Sequence, residues 1–89
     1  MLTLPAVVTH AQALHTAIGL TAQVGAQADN VVLDAGALTQ FDSSTLAVIL
    51  ACRRGALAAG KSFAVRGLPA KLSQLAGLYG VAELIPSAL

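Results

Sequence analysis

Between Val31 and Leu57 the chain passes from strand chemistry to helix chemistry across one short loop, and that succession limits what it can fold into. Val31-Val32-Leu33-Asp34 is a continuous β-branched-rich run, the pattern of a strand covered on both faces. The loop after it ends Phe41-Asp42-Ser43-Ser44, and an apolar run then predicts a helix over Thr45–Ala59. A strand feeding a helix in this way builds βαβ units, so the expected class is α/β with right-handed crossovers. The end of the loop puts a carboxylate and two small hydroxyls at an exposed helix start. Backbone N–H groups there lack intrahelical partners, and the helix dipole makes the spot locally positive. Ser44 or Ser43 can cap that end through its hydroxyl oxygen. A phosphate on Ser43 would be held by the dipole and repelled by Asp42, so modification would switch this surface.

The rest of the chain repeats the alternation. Met1–Pro5 reads as a short strand stopped by Pro5. From Val7 to Val24, apolar residues at Val7, Ala11, Leu14, Ile18 and Ala22 recur at steps of three and four, which predicts a helix buried along that line. In the second helix Leu46, Ile49, Leu50 and Leu57 form one apolar stripe, and Val48 and Cys52 widen it beyond what one core needs. Gly60 stops that helix, with Arg53, Arg54 and Lys61 near the negative end of its dipole. Phe63–Val65 is a strand, and Gly67 and Pro69 open a third helix over Ala70–Leu78. Its buried face is expected at Leu72, Leu75, Ala76 and Tyr79, with Gly80 as its stop and Val81–Ile85 as a last short piece. The order predicts one small domain with a mixed, mostly parallel sheet of about four short strands and about three helices.

Composition narrows the function. Apolar residues make up 56% of the 89 and charged residues 10%, against about 45–50% and 25% in ordinary domains. A domain this small cannot hide so much apolar surface, so a partner is expected to cover part of it. Arg53, Arg54, Lys61, Arg66 and Lys71 are spread thinly and form no basic stripe, which leaves nucleic acid without a footprint. Cys52 is the only cysteine, so no internal disulfide is possible. A reducing compartment and a buried structural thiol are expected. Residues 1–28 contain no Asp, Glu, Lys or Arg, yet His10, Gln12, His15, Gln23 and Gln27 interrupt them. The stretch therefore lacks the pattern of a spanning helix, and its start lacks that of a signal peptide. A soluble cytoplasmic protein without direct membrane insertion is expected.

Catalytic patterns fail one by one. Gly55–Ser62 spells GxxxxGK[ST], but a phosphate-binding loop needs a strand before it and a helix after, and here the order is inverted. His10 and His15 are five apart, off the spacing that stacks two ligands on one helical face, and they read as solvent-facing. Ser43 and Ser44 sit in no GxSxG elbow. Asp29, Asp34, Asp42 and Glu83 show no pairing, and Asp34 reads as a turn or cap residue. No enzyme, cofactor or metal is expected.

The run from Val31 to Asp34, the loop, and Phe41-Asp42-Ser43-Ser44-Thr45-Leu46-Ala47-Val48-Ile49-Leu50 resemble the STAS domain, the fold of bacterial anti-sigma-factor antagonists. The resemblance gives Ser43, preceded by Asp42, the role of switch or phosphorylation site; Thr45 stands where the family often has Gly. The second half, Val65-Arg66-Gly67-Leu68-Pro69 through Leu75-Ala76, Leu78-Tyr79 and Ile85-Pro86, is similar to MlaB-type STAS subunits of the bacterial Mla phospholipid-transport ABC complex. The likeness is good over residues 28–86 and weak over 1–28, where the family's N-terminal hairpin is shortened. It implies a non-enzymatic accessory subunit that binds and supports the ABC ATPase and so maintains outer-membrane lipid asymmetry, peripheral to the inner membrane. The alternative is a phospho-switched anti-sigma-factor antagonist. The expected partner interface is Asp42, Ser43, Ser44, Thr45, Val48 and Cys52, and a homodimer could form through an exposed sheet edge.

Overall fold

A five-residue strand, β3 (Asn30–Asp34), forms the axis of the computed structural model, which describes residues 1–88. β1 (Leu2–Thr3) and β5 (Ser62–Arg66) flank it in the order β1-β3-β5, both parallel, with Leu2 opposite Leu33 and Val31, Val32 and Leu33 opposite Phe63, Ala64 and Val65. A second parallel pair joins β2 (Val7–Val8) to β4 (Gln40–Phe41). Among the described residues the strands therefore number five in two sheets, and every pairing between them is parallel. The last expected piece is not a strand. Ala82–Leu84 is a 3₁₀ turn, and the sheet is extended instead by Val65 N–H donating to Pro86 O and Ala88 N–H donating to Val65 O, both at 2.8 Å.

Three helices connect these strands: α1 (His10–Thr21), α2 (Ser43–Ala58) and α3 (Ala70–Leu78). Each crossover steps across the sheet in the same direction, so right-handed connections put all three helices on one face. Burial follows. Val31, Leu33, Phe63 and Val65 point into the core, while Val32 and Ala64 are half-buried and Asn30 and Ser62 exposed. Val31-Val32-Leu33 is thus covered on one face, not two; its β-branched run reflects strand propensity more than double burial.

All three helices differ from the sequence reading, and α1 begins at His10 because Val7–Val8 is strand β2. α1 has the expected period, but its buried line is Ala13, Ala17, Leu20 and then Val24; Leu14 and Ile18 are 75% and 60% exposed. The small residues win because α1 lies close against α2, where Gly55 sits beside Thr21 and Val24. α2 buries Thr45, Leu46, Val48, Ile49, Cys52 and Ala56 because α1, β5 and α3 all pack on it. Its broad apolar arc is core, and Leu57, expected inside, lies largely exposed. In α3, Leu72 and Ala76 are buried as expected, whereas Tyr79 falls at the C-cap and is 59% exposed.

Loop residues set the strand ends. Gly60 ends α2 at φ +74°, and Gly67 follows β5 at φ +68° with room for no side chain, since a Cβ there would lie 3.0 Å from Gly36 Cα. Asp34 Oδ1 accepts from Gly36 N–H at 2.8 Å, the turn role read from sequence. Lys61 does not serve the α2 dipole. Its Nζ donates to the carbonyls of Val24, Gly25 and Gln27 and holds the loop after α1.

Candidate partner-binding site

The start of α2 is built around one carboxylate. Asp42 is the N-cap, in extended conformation, so α2 begins at Ser43, earlier than the expected Thr45, and the cap is Asp42 rather than Ser43 or Ser44. Asp42 Oδ1 accepts from Ser44 N–H at 2.8 Å, and Oδ2 accepts from His10 N–H at 3.0 Å. His10 is the first residue of α1, so Asp42 satisfies orphan donors at two helix starts at once. The His10 N–H bond, the largest influence, outweighs the opposing desolvation and, with the bonds from Ser44, holds the Asp42 carboxyl below its ordinary value.

Thr45 completes the joint. Its hydroxyl donates to Val8 O, at the end of β2, and accepts from Asp42 N–H at 3.2 Å, which closes a capping box. Thr45 is wholly buried. Strand β2, the start of α1 and the start of α2 are therefore fastened through two adjacent side chains, Asp42 and Thr45. Ser44 Oγ lies 3.4 Å from His10 Nδ1, which brings the two helix starts together on the surface as well.

The candidate residues divide by depth. Ser43 is exposed, and Asp42 and Ser44 are half-buried. Thr45, Val48 and Cys52 lie inside and offer no surface to a partner, which corrects their placement at the interface. Burial pushes the Cys52 thiol up to about 11, as suits an inert core residue. His10 was missed as a neighbour of this turn, and Leu14 and Ile18 as surface. The three stand four apart on α1 and form one exposed ridge that leads away from Ser44. The line Ala13, Ala17, Leu20, Val24 is as periodic in sequence as Val7, Ala11, Leu14, Ile18, Ala22, and alanines mark close helix contacts.

Among the described residues no cluster of three or more His, Cys, Asp or Glu could hold a metal, and no helix is long and apolar enough to cross a membrane. The Gly55–Ser62 pattern starts in the last turn of α2 and runs into β5, so helix precedes its loop and strand follows.

No curated protein matches the chain. A family model described as "Mlab, STAS domain" matches residues 2–86, and so takes in the first 28 residues, where the likeness read from sequence is weak. STAS domains are protein-interaction modules and generally non-catalytic. Parallel strands joined through helices, an Asp-Ser-Ser turn opening α2, and a match over nearly the whole length together place the chain in the STAS domain family, with the MlaB type as its model.

Proposed function

We propose that this chain is a non-enzymatic, cytoplasmic subunit that binds and supports the ATPase of a phospholipid-transporting ABC complex. It docks through the turn Asp42-Ser43-Ser44 and the ridge His10, Leu14 and Ile18. The observation that carries this reading is the pairing of an exposed hydroxyl turn with two large exposed aliphatic side chains on the adjoining helix. Lasting subunit interfaces are more apolar than transient ones, and α1 contributes no Asp, Glu, Lys or Arg to this surface. The turn is fixed in advance by Asp42 and Thr45, so little ordering entropy is lost on docking.

Co-purification with an ABC ATPase subunit tests this. Ser43→Arg and Leu14→Glu each weaken capture while far-UV circular dichroism stays unchanged. If neither does, the surface is not the interface. A phospho-switched anti-sigma-factor antagonist is the second reading, supported by the exposure of Ser43 at a helix start beside a carboxylate. Intact mass from cells separates the two, because stoichiometric phosphate on Ser43 favours the switch.

A further inference from the structure

The face of the sheet turned away from α1, α2 and α3 carries a cavity of about 480 Å³, within the range of small-ligand sites. Val32 forms its apolar floor, with Met1 and Ala88 at the sides; Gln27, Asn30 and Arg66 are its polar members, and no Asp or Glu lines it. Two of these, Asn30 and Arg66, present donors. Asn30 Oδ1 is taken by the Ser62 hydroxyl, which leaves the amide N–H groups for an incoming molecule. The Arg66 guanidinium is hydrogen-bonded to Met1 Sδ at 3.9 Å, a weak acceptor that a carboxylate or phosphate oxygen would displace. Asp34, the register partner of Arg66 on β3, has Oδ1 turned onto Gly36 N–H.

We propose that this cavity binds a single-chain amphiphile with an anionic head, the head on Arg66 and Asn30 and the chain along Val32 and Ala88. The volume suits one short chain and not a two-chain lipid. Position makes the site independent of the docking surface, which lies on the helical side, so it stands whether or not the proposed ATPase partner is correct. The shared chemistry is an anion on an alkyl chain, supplied either by a free fatty acid or by a lipid-derived phosphate monoester.

Titration of the full chain with decanoate and with decyl phosphate, followed by amide and methyl NMR shifts, tests the proposal. Decanol and decyltrimethylammonium serve as uncharged and cationic controls. Expected are saturable shifts at Val32, Ala64 and Ala88 with either anion, and weaker binding of both controls. Arg66→Gln lowers the affinity by about tenfold or more, as loss of a charge-assisted hydrogen bond requires, and leaves thermal unfolding unchanged. Tighter binding of decyl phosphate assigns the phosphate source, and tighter binding of decanoate the fatty acid. Equal binding of decanol, shifts centred on Leu14 and Ile18, or an Arg66→Gln variant that binds as the parent does would each overturn the proposal.

Discussion

Thr45→Val asks how much of the fold rests on one buried hydroxyl. The two side chains are close in volume and both β-branched, so helix propensity is nearly unchanged and the substitution isolates the loss of Oγ1. Two partners lose their hydrogen bond, Val8 O in the fully buried end of β2 and Asp42 N–H at the half-buried cap. A buried acceptor left alone costs about 1–3 kcal/mol. The Asp42 N–H can turn to water and adds less. The expected loss is about 2 kcal/mol, a large share of the roughly 4–13 kcal/mol available to a domain of this size. It lowers Tm by about 8–16 °C. Urea unfolding followed by circular dichroism gives the number, with a reduced midpoint and an unchanged slope. Thr45→Ser is the control: it keeps the hydroxyl, deletes one buried methyl, and costs about 1 kcal/mol. The reasoning fails if Thr45→Val is as stable as Thr45→Ser, or lies within about 0.5 kcal/mol of the parent chain.

Four further outcomes follow from the same geometry. Burial raises the Cys52 thiol from 9.0 to about 11, so the unfolded chain ionises first; stability is intact below pH 9, falls as pH rises towards 11, and Cys52→Ala removes that component of the alkaline decline in urea midpoint. Asp42 has the opposite sign. Its carboxyl lies below the ordinary 3.8, so its contribution is present above that value and lost as pH falls through the lower folded value, and Asp42→Asn flattens the acid limb of the same measurement. Gly67→Ala destabilises by about 1–2 kcal/mol through its left-handed conformation alone, and by more because the new Cβ would meet Gly36 Cα at 3.0 Å; thermal unfolding reads the sum. Lys61→Met frees the carbonyls of Val24, Gly25 and Gln27, and hydrogen exchange quickens at the 3₁₀ turn Val24–Ala26 while the middle of α2 stays protected.

What sequence revealed about this fold depended on how far along the chain each cause acts. The third helix ran over Ala70–Leu78 as expected because Pro69 and Gly80 are local signals. The parallel sheet was legible from alternation alone. The phase of α1 was not, because two apolar lines share its period and only the neighbouring helix chooses between them. Ala13 and Ala17 allow a closer approach to α2 than Leu14 and Ile18 would. The width of the α2 stripe points in sequence to a surface for a partner, yet three neighbours inside the chain already use it. Apolar residues in excess of one contact face do not reveal whether the second contact is internal or external.

The candidate site shows the same division. That Asp42, Ser43 and Ser44 open a helix is a local fact, visible in four consecutive residues. That Asp42 also receives the first N–H of α1 is a contact across 32 residues, and no pattern within either segment announces it. Its effect is mechanical. One carboxylate and one buried hydroxyl hold the Ser43 turn and the start of the His10, Leu14, Ile18 ridge in fixed relation, so anything that binds the turn meets an apolar helix already in place. Ser43 adjoins the carboxylate that caps both α1 and α2, so a phosphate added there would stand against Asp42 at the joint of the two helix starts.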